Sequence, residues 1–307
     1  MSASCPPPSG KKAVRSSTTL YFPSADGKLI LPEVRNIAYA QVSPIEYLYT
    51  LLEELGKGAS MPLCMETFPA PLEYIEEMPE IVRTEDGYLA IELCFDRQLE
   101  EEILRCGMTL DVYLAMLSDT LMGFVPGVEG LKMSIGEHEL KTLSKEQTCD
   151  GREIAFEHGL ATRASFSGYV GAPVTLYVMQ GEGLAAVQHV MQQSLENQAR
   201  ARLEALIALD GTDAFALPRG LTPADILAVH TGTDVIAVNL SGAFCEAMKA
   251  LSPAQERACV YAMVNTLTQG REASRVQFFF EGEQVSSLTG ELEMRGAFVR
   301  NPGMVVN

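Results

Sequence analysis

The stretch TLYFPSADGKLILPEVR, residues 19–35, is answered at residues 175–190 by TLYVMQGEGLAAVQHV. The first copy turns on Ser24-Ala25-Asp26-Gly27, where Gly27 offers a positive φ between two segments rich in β-branched, aromatic and aliphatic residues. It reads as a β-hairpin. The second copy carries Gly181-x-Gly183-x-x-Ala186 after a predicted strand, with Glu204 at the distance of a ribose-binding acid, so taken alone it resembles a dinucleotide fingerprint. Its counterpart in the first copy is a hairpin turn, and the residues after Gly183 fit a strand better than a helix whose N-terminus would face a pyrophosphate. The glycines are therefore read as turning a second hairpin, and no cofactor is expected.

Working outward, Ser43-Pro44-Ile45-Glu46 opens a helix whose apolar residues Ile45, Leu48, Leu51, Leu52 and Leu55 recur at helical spacing before Gly56 and Gly58. Residues 59–79 carry Pro62, Pro69, Pro71 and Pro79 and lead to two extended stretches, EIVRT and GYLAIELCF. In the latter Leu89, Ile91, Leu93 and Phe95 alternate with Tyr88, Ala90, Glu92 and Cys94, the mark of a strand with one buried face. A short acidic helix is expected at 97–104 and a longer one at 109–124, burying Leu110, Leu114, Leu117 and Leu121. GLKMSIGE then alternates again.

The second half keeps this order. A helix runs through ARARLEALIALDG, DVIAVNL answers GYLAIEL with Val238 in the place of Ile91 and Asn239 in that of Glu92, and Ser252-Pro253-Ala254-Gln255 rebuilds a capping box. VNTLTQG answers SDTLMGF, setting Asn265 opposite Asp119, and RVQFFFEGE answers GLKMSIGE. Agreement in element order indicates an internal duplication. The expected fold is α+β: two tandem copies of a small mixed β-sheet, each packed by two main helices on one face. The divisions are a tail or tether over 1–16, a first domain over 17–171 and a second over 172–307.

Composition bounds the function. The 307 residues are 47% hydrophobic and 21% charged, an ordinary globular balance, and a formal net charge of −17 repels phosphate backbones. Nucleic acid is not an expected partner. The seven cysteines contain no CxxC pair, and His138, His158, His189 and His230 form no HExxH or ligand-like cluster, so neither a metal site nor a catalytic set is expected. Ser241 lacks a G-x-S-x-G elbow and reads as a helix cap; Glu76, Glu77 and Glu100 to Glu102 read as solvated carboxylates. Cys5 differs. It follows Ser-Ala-Ser and precedes a Pro, Ser, Gly and Lys tether, as in a mature lipoprotein after its signal peptide is removed, the alternative being a tail with an incidental thiol. The lipid reading expects a precursor with a charged start and an apolar run ahead of Cys5 as its first mature residue.

Tyr-Phe-Pro, the Asp-Gly turn and Leu-x-Pro-x-x-Arg in the first copy, with DVIAVNLSGAF, AMVNTLTQG, RVQFFFEGE, SLTG and AFVRNPG in the second, resemble the GerM-type sporulation and spore germination domain. Between them the copies span nearly the whole chain beyond the tail. The second copy departs in lacking the Phe-Pro and Asp-Gly of the first hairpin, and 149–171 is longer than a simple linker. The resemblance implies an extracytoplasmic, often lipid-anchored protein that acts in sporulation or germination as an assembly or ligand-binding module and not as an enzyme; the expected partners are proteins of a sporulation or germination assembly, bound by a monomer or weak oligomer. It touches the membrane only through its anchor. Two alternatives stand beside this reading: a cell-wall glycan-binding module, against which zero Trp and 7% aromatics count, and a hydrolase using convergent carboxylates or Ser241.

Overall fold

In the computed structural model, residues 14–39, 43–125, 127–181, 183–193, 196–209, 217–270 and 273–306 are described. They fall into two units, one reaching to Ala172 with Gln192–Ser194, the other comprising Pro173–Met191 and the chain from Leu195.

The first unit opens with β1 (Val14–Pro23) and β2 (Ile30–Tyr39), an antiparallel hairpin in register from Val14↔Tyr39 to Pro23↔Ile30. Pairing thus reaches Val14, Arg15 and Ser16, which the sequence reading left in the tail. The turn closes through its own side chains: Ser24 Oγ donates to Asp26 Oδ1 at 2.6 Å and accepts from Leu29 N at 3.0 Å, with Gly27 at φ +67°. Helix α1 (Pro44–Gly56) starts where the Ser43 side chain accepts from Glu46 N, and it buries Leu48, Leu51, Leu52 and Leu55. After the single turn α2 (Pro71–Tyr74) come β3 (Glu80–Arg83), β4 (Leu89–Phe95), α3 (Gln98–Arg105), α4 (Leu110–Leu121), β5 (Gly130–Ile135) and β6 (His138–Glu139). The sheet order is β3-β4-β5-β6, with β4 and β5 parallel and both outer pairs antiparallel.

Helix α4 carries more than the stripe of leucines. All twelve of its residues are buried, Asp111, Ser118, Asp119 and Thr120 included, because β1, β2, α1 and α3 pack around it. The long segment after β6 belongs to the same unit. It holds the short pair β7 (Thr142–Leu143) and β8 (Ile154–Ala155), and Ala161 bridges Leu131 on β5. Asp111 anchors it, its Oδ2 accepting from Tyr169 Oη at 2.6 Å and from Cys149 N at 2.9 Å.

The second unit repeats the plan: hairpin β9 (Gly171–Gln180) and β10 (Gly183–Gln192), α5 (Gln198–Ala208), β11 (Ile226–Thr231), β12 (Val235–Leu240), α6 (Gly242–Lys249), α7 (Pro253–Leu267), β13 (Arg275–Phe280) and β14 (Phe298–Val299). Its sheet order is β11-β12-β13-β14, again with the central pair parallel. Gly181 sits at φ +60° between two strands, which is where the sequence reading placed it, and no helix starts at Gly183.

One correspondence needs correction. Gly136 N donates to Phe95 O at 2.7 Å and Glu281 N to Leu240 O at 2.9 Å, while Phe95 pairs with Ile135 and Leu240 with Phe280. Phe95 therefore matches Leu240, so Ile91 matches Ile236 instead of Val238, and Cys94 instead of Glu92 stands where Asn239 does. A two-residue slip preserves every inward and outward side chain, so alternation alone cannot detect it.

Candidate functional site

The duplicated helices carry one constellation twice. On α4, Thr120 Oγ1 accepts from the backbone N–H of Tyr21 at 3.0 Å; on α7, Thr266 Oγ1 accepts from Tyr177 N at the same 3.0 Å. A threonine at this position fastens each hairpin to its long helix. Beside Thr266, Asn265 Oδ1 accepts from Asn301 N at 2.9 Å and its Nδ2 donates to Asn301 O at 3.1 Å, while Arg300 lies over the Tyr177 ring and donates to its hydroxyl. Beside Thr120, Arg163 Nη2 donates to Asp119 O at 2.6 Å and its Nε sits 3.4 Å from Asp119 Oδ1. The bridges Leu131–Ala161 and Val276–Phe298 bring Arg163 and Arg300 to matching places, two residues beyond each bridge.

The two copies differ in charge. Asn265 has both polar atoms satisfied, whereas Asp119, 6% exposed, leaves Oδ2 buried without a partner. Burial pushes the Asp119 carboxyl up to about 6, against the opposing pull of Arg163. The same enclosure, with the Asp119 charge nearby, raises the Tyr21 hydroxyl. The cluster clasps the end of each unit onto its central helix; its groups face one another, with no nucleophile and base arranged around an open position.

The stability of the clasp is testable. Thr266→Val keeps the shape and removes the acceptor, stranding a donor on Tyr177, which is 4% exposed; the expected loss is about 1–3 kcal/mol. Thr120→Val should cost less, since Tyr21 is half-buried and water can reach it. Chemical denaturation of the two variants checks the order.

The other sequence candidates are dispersed. Cys5 lies outside the described residues. Ser241 caps α6, accepting from Phe244 N at 3.0 Å, and donates to Asp225 Oδ1 at 2.7 Å, a partner that sequence reasoning missed. Glu204 pairs with Arg200 at 2.8 Å one helical turn away. Glu100 accepts from Gln147 at 2.8 Å, and Glu102 pairs with Arg105. His138 and His230 are exposed and His189 half-buried, each on a strand; among the described residues no three His, Cys, Asp or Glu side chains are placed to hold a metal ion. His158 packs against Tyr88 with the two rings tilted by 38° and their centroids 4.5 Å apart, its Nε2 3.1 Å from the tyrosine hydroxyl.

One accessible surface in both units is the sheet face away from the helices. In the first unit it shows Glu92 paired with Lys132 at 2.7 Å, and beside it a polar groove of about 510 Å³ lined by Arg83, Asp86, Lys132, Lys141 and His158. In the second unit Asn239 lies on this face and accepts from Gly282 N at 2.8 Å. Both Glu92 and Asn239 point away from the Leu, Ile and Val of their strands, as their alternation predicts. Among the described residues no helix is long and apolar enough to cross a membrane.

Residues 175–286 match the model of the Germane family, described as sporulation and spore germination, and the match lies within the second of the two copies. Among solved structures, the chain is similar to the tandem GerMN domains of the sporulation protein GerM from Bacillus subtilis, at 13% identity over 94% of this chain and 98% of that one, with a TM-score of 0.33. The first GerMN domain of the same protein shares 17% identity over 43% of this chain and 98% of its own length, TM-score 0.33. The "Putative Lipoprotein" of Clostridium perfringens shares 19% identity over 42% of this chain and 87% of its own, TM-score 0.30. No curated protein matches.

Proposed function

We propose that this protein is an extracytoplasmic, non-catalytic module of sporulation or spore germination that binds protein partners of an envelope assembly. The observation that carries the reading is the family match over 175–286, in a unit whose order of hairpin, helix, two strands, two helices and two strands recurs in the first unit. On this reading 17–171 and 172–307 are two GerM-like domains, and Cys5 holds the chain to the membrane outside the cytoplasm. The absence of catalysis is supported by what the most reactive side chains are engaged in: Ser241 caps a helix, Glu204 pairs with its neighbour, and the buried carboxylate Asp119 faces a clasp.

The test uses a strain of the source organism lacking the gene. Restoring the native gene should restore heat-resistant spores, and alanine at His230, Ser241 or Glu204 should restore them equally, provided each variant folds. Loss of spores at unchanged stability would instead support the hydrolase reading. In parallel, the full chain is incubated with solubilised forespore and mother cell envelope proteins, from which it should retain a protein partner. Pelleting with purified peptidoglycan, with no protein retained, would establish the glycan-binding alternative.

A further inference from the structure

The two sheets end differently on corresponding sides. In the second unit the outer edge of β11 is occupied, since Asn197 Nδ2 donates to Val229 O and Arg200 Nη1 to Ile226 O, each at 2.9 Å, so the helix α5 and its cap take up the carbonyls that another strand would use. In the first unit α1 packs against α2, β1 and α4 instead. Strand β3 is left as the outermost strand, and among the described residues no hydrogen bond reaches its outer side.

The direction of its free groups follows from the ladder. Thr84 N donates to Tyr88 O at 2.9 Å, and antiparallel pairing alternates, so Val82 and Glu80 exchange bonds with Ala90 and Glu92 while Ile81 and Arg83 present their N–H and C=O outward. The edge also continues backwards, because Ile75 bridges Phe95 and Glu76 N donates to Cys94 O at 2.9 Å, with Glu77-Met78-Pro79 bulging between. Charge specifies the occupant. Glu76, Glu77, Glu80 and Glu85 are exposed along this edge and have no cationic partner among the described residues, while of the cations beside it Lys132 and Lys141 already pair with Glu92 and Glu139, which leaves Arg83 facing four unpaired glutamates; Met78 beside them is 62% exposed.

We propose that β3 is a docking edge on which an extended, basic segment of a partner protein adds as a further strand. Backbone bonds to Ile81 and Arg83 would supply the pairing, and lysine or arginine side chains on the added strand would meet the row of glutamates. This rests on the partner-binding reading above and names the partner's recognition element: an extended, positively charged segment.

The probe is an acetylated, amidated heptapeptide of alternating lysine and valine, fluorescently labelled and titrated into the full chain at low salt. A second peptide of the same sequence carries N-methyl groups on alternate residues, which keeps its charge and removes the donors on one edge. The first peptide should bind, gain hydrogen-exchange protection for the amides of Ile81 and Arg83, and bind roughly tenfold more tightly than the methylated one. The charge-reversed E80K/E85K chain should weaken binding by a similar factor, and Ile81→Pro, which removes an outward N–H without touching the ladder to β4, should do the same. Equal binding of both peptides, protection confined to other segments, or no binding at low salt would overturn the proposal; the comparison of peptides decides even if Ile81→Pro fails to fold. Failure here would remove β3 as the docking element, whereas partner binding as such fails only if the full chain retains no envelope protein.

Discussion

Replacing Gly27 by alanine should destabilise the first unit by about 2–4 kcal/mol. Two effects add. Gly27 sits at φ +67°, a conformation that costs an L-residue about 1 kcal/mol or more, and a Cβ there would stand 2.6 Å from the carbonyl oxygen of Gly107 and 3.3 Å from Met108 Cα. Those neighbours are backbone, in the loop between α3 and α4, so the contact is relieved only by moving the hairpin tip or the helix start. Gly58 provides the control. Its φ is +75° and nothing lies within 4 Å of its absent Cβ, so Gly58→Ala should show the conformational cost alone, about 1 kcal/mol. Denaturant titrations of both variants separate the terms; equal losses at the two sites would mean that the hairpin tip is not held against Gly107.

The second large effect concerns pH. The Asp119 carboxyl is held up near 6 by burial, above its value in the unfolded chain, so between about pH 4 and pH 6 the folded state binds the extra proton. The contribution is fully present below the unfolded value and is lost as pH rises through the folded one, so this group makes the first unit less stable at pH 8 than at pH 4. Asp119→Asn is neutral at every pH and copies what Asn265 is in the second unit. It should remove that component of the pH dependence and make the protein more stable than the native chain at pH 8 by about 1–2 kcal/mol, less than the full linkage because the new amide also needs a partner. Thermal unfolding at pH 4, 6 and 8 reads both outcomes. A variant that is less stable than the native chain at pH 8 would show that the ion pair with Arg163 outweighs the burial of the charge.

The parts of this protein that were legible in its sequence are those fixed by chemistry acting over a few residues. The Asp26-Gly27 turn, the caps at Ser43, Ser241 and Ser252, and the hairpin at Gly181 all lie where their residue types place them, because a side-chain oxygen three positions before a free N–H, or a glycine at positive φ, acts on its immediate neighbours. The likeness of the two long helices was also legible, down to Asp119 opposite Asn265, since SDTL and VNTL share the threonine that each hairpin needs.

Tertiary structure decided the rest. Alternating strands look the same after a shift of two residues, so only the bonds from Gly136 to Phe95 and from Glu281 to Leu240 fix that Ile91 corresponds to Ile236. The burial of α4 on every side depends on elements distant in the chain closing around it, and its apolar stripe carries no trace of that. Arg163 joins Asp119 only after the long segment beyond β6 returns to β5, a step no local pattern encodes. The contrast between a capped β11 and an open β3 arises in the same way, because it depends on where a helix packs after its own sequence has already made it a helix.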